Sequence, residues 1–231
     1  MDLLCHNYVY FQCLYFMSTL KNNTFKEETC LLVFSFVSMK GEIMKELKKI
    51  LCVLGETARG KDTFAKILEK DYGLRSVVSY TTRPIRPGEI DGREHYFITK
   101  EKADNMFFTN PENIVAYTAI GKYEYFATKA ELLKSDIYII DPLGYDRLKS
   151  TVLRHKIPVS LIGVYITCSP ELARKRAVLR GDDLIAFVRR SIDERDRFVD
   201  FDYYERYDYK YTNDKTLDDL KEFARDIMKV M

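Results

Sequence analysis

The chain is predicted to fold as an α/β domain with a parallel sheet covered by helices on both faces. Apolar runs at 50–54, 137–140 and 160–167 indicate buried strands, and each is followed by a helical pattern. Strands that alternate with helices in this way are typical of a parallel sheet. The stretch from about 81 to 128 is rich in strands and breaks the alternation, so it predicts a smaller, partly antiparallel lobe.

Composition indicates an ordinary soluble domain. The 231 residues are 46% hydrophobic, enough for a substantial core, and 31% charged. Lys plus Arg total 37 against 35 for Asp plus Glu, so charge gives no argument for nucleic acid. The five cysteines form no C-x-x-C pair and no secretory signal is evident, which favours free thiols in the cytoplasm. We expect no membrane, nucleic-acid or obligate protein partner.

Residues 1–38 have an unusual composition. They hold three of the five cysteines and an aromatic run at 8–11, without the alternation of a core strand. The apolar run at 30–37 is far shorter than the ~20 residues that span a bilayer. We therefore expect residues 1–38 to be a dispensable extension, which upstream sequence translated from a misplaced start would explain, and residues 39–231 to form the domain.

The sequence GETARGKDT at 55–63, called the phosphate loop below, directly follows the first strand. A strand, a G-x-x-x-x-G-K turn and a helix predict a loop whose N–H groups bind phosphate at the positive helix end. An ordinary strand-to-helix turn is the alternative. The lysine of such a loop reaches the outer phosphates, and Asp62 replaces the usual Ser or Thr after it. The candidate nucleotide-binding residues are Gly55, Glu56, Thr57, Ala58, Arg59, Gly60, Lys61, Asp62 and Thr63.

A second cationic segment, SYTTRPIRPGEIDG, occupies residues 79–92. Its arginines, Arg83 and Arg86, are three residues apart, and neighbouring prolines restrict the backbone. Guanidinium groups bind phosphate through two parallel hydrogen bonds. A solvated turn would explain the Pro-Gly pair, but not its position after a phosphate loop.

This segment resembles the guanylate kinase family, whose pattern is S-x-T-T-R-x-x-R-x-G-E-x-x-G followed by Tyr and Phe. The chain matches the pattern through Gly92 and continues REHYF at 93–97. The resemblance covers roughly residues 48–231. It implies a P-loop kinase fold with a monophosphate-binding lobe at about 81–128 and a helical lid at about 178–192.

The resemblance implies roles in binding the acceptor nucleotide. Ser79 would contact the base, Arg83 and Arg86 would hold the monophosphate, and Glu89 lies within the matched motif.

Two tyrosines of the family also bind this phosphate. The first falls on His95, next to Tyr96, and we favour Tyr96 because a phenol preserves the chemistry. The second is Tyr125, within the family-like sequence GKYEYFAT at 121–128.

The residue that would read the base departs from the family. The family glutamate falls on Val115, which cannot accept hydrogen bonds from guanine. Each unpaired donor would cost roughly 1–3 kcal/mol. Thr118 or Glu124 would have to replace it, so guanine preference is a weaker expectation than phosphoryl transfer.

Asp141 ends an apolar strand and resembles the aspartate of the family's D-x-x-G segment. The resemblance implies contact with the acceptor, and a carboxylate at this strand end often holds Mg²⁺. A helix N-cap is the alternative. We predict Asp62 and Asp141 as metal ligands.

The lid and the donor site complete the resemblance. Arg176 and Arg180 match the family's R-x-x-x-R-G entrance to the lid, and Arg190 matches its returning arginine. Such arginines stabilise charge on the transferring group, so we predict them and Lys61 as catalytic. Asn213 lies in an N-D turn that borders adenine in relatives. We interpret Arg189, Arg195 and Arg197 as solvated.

Together these features predict Mg²⁺-dependent transfer of the γ-phosphoryl group from ATP to GMP or dGMP. The acceptor phosphate is already anionic, so positioning and charge neutralisation carry catalysis. Two alternatives stay open. One is a kinase for another (deoxy)nucleoside monophosphate or a phosphorylated sugar. The other is a catalytically silent guanylate-kinase-like binding module.

Overall fold

The structure is a computed structural model that describes residues 47–86 and 88–231. The chain divides into the units Met1–Leu47 and Lys48–Met231, and the second is described below. The predicted extension at 1–38 lies outside the described residues. No helix in the described ranges is both long and apolar enough to cross a membrane.

The strands are distributed over two sheets. In chain order they are β1 (Lys48–Leu54), β2 (Ser79–Thr81), β3 (His95–Phe97), β4 (Ile114–Ile120), β5 (Tyr123–Thr128), β6 (Ile137–Ile139), β7 (Val159–Thr167) and β8 (Tyr209–Thr212). The helices between and after them are α1 (Lys61–Tyr72), α2 (Lys100–Thr109), a 3₁₀ turn (Pro111–Asn113), α3 (Lys129–Lys134), α4 (Pro142–Arg154), α5 (Pro170–Arg180), α6 (Leu184–Tyr203) and α7 (Leu217–Met228).

The first sheet has the order β6-β1-β7-β8, and its strands are all parallel. Strand β1 is central and buried on both faces, which explains its uninterrupted apolar sequence. Ile50, Cys52 and Leu54 contribute to the core shared with α4 and α6. Leu51 and Val53 contribute to the core shared with α1 and α7. The predicted parallel sheet with helices on both faces is therefore confirmed.

The second sheet is mixed, as the strand-rich stretch predicted. Its order is β3-β2-β5-β4, with β2 and β3 parallel and the other pairs antiparallel. Phe126 of β5 and Ala103 of α2 are both buried in a separate small core. The segment 79–97 begins with β2 and ends with β3 of this smaller lobe.

Residues 178–192, the predicted lid, span the junction of α5 and α6. Helix α5 ends at Gly181, whose φ of 82° is the left-handed conformation that favours glycine. Asp183 begins α6 as its N-cap by accepting a hydrogen bond from the Ala186 N–H. The junction thus brings two polar helix ends together, and both border the cavity described next.

Candidate active site

A cavity of about 980 Å³ joins the phosphate loop, the segment after β2 and the α5–α6 junction. Predicted site residues from all three regions line it, namely Thr57, Ala58, Lys61, Asp62, Ser79, Arg83, Arg86, Glu89, His95, Arg180 and Arg190. These segments are far apart in the chain. The fold therefore assembles one site from parts that the sequence identified separately.

The phosphate loop makes a tight turn between β1 and α1. A Cβ built on Gly55 would lie 2.4 Å from the Ile166 carbonyl oxygen, so only glycine fits beside β7. Ala58 and Gly60 have φ values of 61° and 102°. The Gly60 carbonyl then accepts the first helical hydrogen bond, from the Phe64 N–H at 2.9 Å. The loop thus leads directly into the N-terminus of α1, as the motif predicts.

Asn213 and Arg176 hold the loop from its outer side. The Asn213 amide donates to the Arg59 carbonyl at 3.0 Å. Arg176 donates to the carbonyls of Asn213 and Arg59 at 2.9 and 3.4 Å. A Cβ on Gly60 would lie 2.2 Å from the Asn213 amide nitrogen. Neither Asn213 nor Arg176 lines the cavity, and the contacts of both are with the backbone of the loop and its neighbour.

Two side chains of the phosphate loop are also committed to packing. Arg59 donates to the Cys168 carbonyl and lies 3.6 Å from a carboxylate oxygen of Glu56. Glu56 in turn accepts from the Tyr165 hydroxyl at 3.1 Å. These contacts hold the loop against β7 and the residue that follows it.

Arg83 is fixed by a two-point ion pair. Its two terminal nitrogens each lie 2.6 Å from a different carboxylate oxygen of Glu89, and it also donates to the Pro84 carbonyl at 3.0 Å. The Arg83 hydrogen bonds hold the pKa of Glu89 down at about 2. The guanidinium lies 5.0 Å over the Phe97 ring. Arg83 is only 6% exposed, so its position is determined before any ligand binds.

Arg86 projects into the cavity from the same loop. Its backbone N–H donates to Glu89 at 2.8 Å, so one carboxylate organises both arginines. Burial and the nearby charges of Arg83 and Arg190 lower the pKa of its guanidinium. A bound anion would relieve the repulsion among these three arginines.

His95, rather than Tyr96, faces this site. The register of β2 and β3 pairs Ser79 with His95, and the Ser79 hydroxyl lies 2.8 Å from His95 Nδ1. Both side chains line the cavity. Tyr96 packs on Tyr80, with ring centroids 4.8 Å apart, and does not line the cavity. Of the two candidates, His95 lines the cavity and Tyr96, which we favoured from its phenol, does not. Burial, followed by the charge of Arg83, lowers the pKa of His95.

Tyr125 supports His95 from the neighbouring strand. The two rings meet edge to face at 5.8 Å, and Tyr125 pairs with Thr81 across the sheet. Its phenol also interacts with Arg83. Tyr125 therefore lies beside the acceptor arginines, although it is not among the cavity-lining residues.

The position of the missing family glutamate is part of the core. Val115 is fully buried. Glu124 contacts Lys100 at 2.9 Å and the Tyr117 hydroxyl at 3.2 Å, and Thr118 donates to Asp141. Neither replacement lines the cavity. The lining instead includes Glu69 of α1, whose carboxylate accepts from the Ser76 hydroxyl.

Asp141 is the N-cap of α4. One carboxylate oxygen accepts from the Gly144 N–H at 3.0 Å, and the other from Thr118 at 3.1 Å. Arg197 completes the cluster at 3.3 Å, so the interpretation of Arg197 as solvated was wrong. Asp141 does not line the cavity. The structure therefore favours the N-cap alternative over a metal ligand or an acceptor contact.

Asp62 is the predicted metal ligand that does line the cavity. It lies in the first turn of α1, is more than half exposed, and has its carboxylate 3.9 Å from Lys61 Nζ. Within the described residues, no group of three or more His, Cys, Asp or Glu side chains could hold a metal alone. One carboxylate beside phosphate oxygens suits Mg²⁺, which binds few protein ligands and retains several waters.

The two lid arginines approach from α5 and α6. Arg180 pairs with Asp182, with Nε 2.9 Å from a carboxylate oxygen. Arg190 donates to the Thr57 hydroxyl at 3.2 Å. Arg190 therefore contacts the phosphate loop directly, and Arg180 lines the same cavity.

Sequence reasoning missed Glu194, which also contacts the loop. Its carboxylate accepts from the Thr57 N–H at 2.7 Å, and its side chain is half-buried. A weak signal was present, because Glu194 follows Arg190 by four residues and shares its helix face. Without the fold, nothing in the sequence connected that face to the phosphate loop.

The phosphate loop, the paired acceptor arginines and the lid arginines on a parallel α/β sheet define a P-loop kinase of the nucleoside monophosphate class. The family model described as guanylate kinase matches residues 47–229. The chain belongs to the guanylate kinase family.

Individual guanylate kinases are similar to this chain in sequence and in fold. The chain is 32% identical over 173 residues to a guanylate kinase of Blochmanniella pennsylvanica, covering 67% of this chain and 77% of that one. It is 30% identical over 170 residues to a guanylate kinase of Symbiobacterium thermophilum, covering 71% and 77%. A crystal structure of guanylate kinase from Anaplasma phagocytophilum shares the fold, with a TM-score of 0.54 at 23% identity over 80% of this chain and 84% of that one.

Proposed function

We propose that this protein transfers the γ-phosphoryl group of ATP to GMP, producing ADP and GDP. The observation that carries the proposal is the single cavity that joins Lys61 to Arg83 and Arg86. A donor phosphate at the loop and an acceptor phosphate at the arginines would then face each other. Family membership supports the same reaction, and we place it in the cytoplasm, where both nucleotides are available.

The residues divide the reaction between them. Loop N–H groups and Lys61 bind the outer donor phosphates at the N-terminus of α1. Arg83 and Arg86 hold the acceptor phosphate in line, and Arg180 and Arg190 neutralise charge on the transferring group. Because the acceptor oxygen is already anionic, no side chain has to remove a proton.

Mg²⁺ would supply further neutralisation of the donor phosphates. Asp62 fits as its protein contact, because a carboxylate can replace the usual hydroxyl as an oxygen ligand. The remaining ligands of such an ion would be phosphate oxygens and water.

The alternatives have less support. A silent binding module would not need Lys61 together with two acceptor and two lid arginines around one cavity, yet all of them line it, namely Arg83, Arg86, Arg180 and Arg190. Another acceptor base is the more serious rival, because Val115 is buried and cannot read guanine.

A panel of monophosphates tests the proposal. Purified protein is supplied with ATP, Mg²⁺ and GMP, dGMP, AMP, dTMP, UMP or a sugar phosphate, and ADP release is measured. We expect the highest kcat/KM with GMP or dGMP. A higher value with another acceptor would overturn the base assignment, and no release with any acceptor would overturn the kinase assignment.

A further inference from the structure

Helix α6 binds one residue of the phosphate loop at two points. Arg190 donates to the Thr57 hydroxyl at 3.2 Å, and Glu194, one turn later, accepts from the Thr57 N–H at 2.7 Å. The Glu194 contact joins residues 137 positions apart in the chain. Arg190 has a role in the proposed phosphoryl transfer, whereas Glu194 has none.

The carboxylate of Glu194 lies among groups that bind phosphate. Lys61 and Arg190 both interact with it electrostatically, and the Thr57 N–H donates to it. Burial is nevertheless the larger influence and raises the pKa of Glu194. An acidic side chain is thus retained in a desolvated position where burial opposes its charge and only the loop and its cations favour it.

A carboxylate and a terminal phosphoryl group are both oxyanions, and one N–H cannot donate to both in the same place. Thr57, Lys61 and Arg190, which favour the charged form of Glu194, all line the cavity, whereas Glu56 opposes that charge. Accepting the proposed function, we infer that Glu194 competes with the γ-phosphate of ATP for the phosphate loop. ADP ends at its β-phosphate and can bind without displacing it.

The consequence is that Glu194 affects the binding of ATP and of ADP differently. Glu194 weakens ATP binding, because the γ-phosphate has to displace a carboxylate and then lies near its charge. It leaves ADP binding almost unchanged. A merely structural attachment of α6 to the loop would affect both nucleotides equally, and a role as a Mg²⁺ ligand would strengthen ATP binding.

Binding titrations without an acceptor separate these roles. We would measure Kd for ATP and for ADP, each with Mg²⁺, in the wild type and in Glu194→Gln, which keeps the shape and removes the charge. The expected result is about tenfold tighter ATP binding with less than a twofold change for ADP, the size of losing one charge-assisted contact. Asp193→Asn, an exposed neighbour on the same helix, is the matched control and should change neither value.

Equal changes for both nucleotides, or weaker ATP binding, would overturn the inference. Glu194→Ala carries the same expectation, so either folded variant decides, and thermal unfolding confirms that each is folded. The monophosphate panel tests the kinase assignment independently of this inference. If no acceptor is phosphorylated while the ATP-specific shift is present, the kinase assignment is wrong and the competition stands. If GMP is phosphorylated without the shift, only the competition is wrong.

Discussion

Arg83 and Glu89 form a part-buried two-point ion pair in the cavity lining, with both pairs of atoms 2.6 Å apart. The same carboxylate accepts from the Arg86 N–H at 2.8 Å. A single acidic residue thus orients the guanidinium of one acceptor arginine and the backbone of the other. Glu89 therefore orients both arginines towards the cavity that they line.

Replacing Glu89 by Gln should weaken acceptor binding specifically. The change removes the charge that orients Arg83, so we expect the KM for GMP to rise roughly tenfold, in the range of one lost charged hydrogen bond. The KM for ATP should change less than twofold. Steady-state kinetics with each substrate varied in turn would measure both values.

Glu94→Gln is the matched control for that variant. Glu94 is also a carboxylate of the cavity lining, but it pairs with Arg93 at 2.6 Å and not with the acceptor arginines. If it raised the KM for GMP as much as Glu89→Gln, the effect would reflect the total charge of the cavity and not the orientation of Arg83.

The Arg83–Glu89 pair should also make stability depend on acid pH. The folded-state pKa of Glu89 is about 2, below the ordinary value of 4.5, so the folded form favours the ionised carboxylate. The stabilisation of the folded state by the ionised Glu89 carboxylate is complete above pH 4.5 and is lost as the pH falls toward 2. Urea unfolding at pH 7, 4 and 3 should show that the difference in free energy of unfolding between wild type and Glu89→Gln becomes smaller as the pH falls. A gap independent of pH would contradict the assignment.

Local patterns in the sequence predicted the frame of the molecule. The apolar run of β1 is uninterrupted because that strand is buried on both faces, and the glycine spacing of the phosphate loop reflects backbone space beside β7. Both signals lie within a few neighbouring residues. The acceptor arginines could be recognised for the same reason.

Contacts between distant segments could not be predicted in this way. Glu194 reaches Thr57 across 137 positions, and Asn213 reaches Arg59 across 154. The choice between His95 and Tyr96 depends on the register of β2 and β3, since a slip of one residue reverses the face of each side chain. Strands of three residues contain too little alternation to specify that register.

Substitutions at His95 and Tyr96 should therefore have unequal effects. His95→Tyr restores the family residue at the cavity position and should keep the KM for GMP within about threefold, whereas His95→Ala should raise it roughly tenfold. Tyr96→Phe should change it less than twofold, because that ring packs on Tyr80. A large rise in KM for Tyr96→Phe would return the phosphate contact to Tyr96.

Asp141 should contribute to stability and not to metal binding. Asp141 is an N-cap that also pairs with Arg197. Its replacement by Ala should therefore lower the free energy of unfolding by about 1–2 kcal/mol. Asp141→Asn retains a good capping group and should lose less. The Mg²⁺ concentration for half-maximal activity should match the wild type in both variants, and a marked increase in Asp141→Asn would restore the metal assignment.

Lys61 and Asp62 should differ sharply although they are adjacent. Lys61 lines the cavity as the cation for the outer donor phosphates, so Lys61→Ala should lower kcat by at least about a hundredfold. Asp62→Ser exchanges one oxygen ligand for the usual hydroxyl, and kcat should remain within a few-fold at saturating Mg²⁺. Lys70→Ala, an exposed lysine in the last turn of the same helix, controls for the loss of a positive charge and should leave kcat unchanged. Among the described cavity-lining residues, no other lysine lies at the N-terminus of α1. If Lys61→Ala kept the kcat of the wild type, phosphoryl transfer at this loop would therefore be refuted.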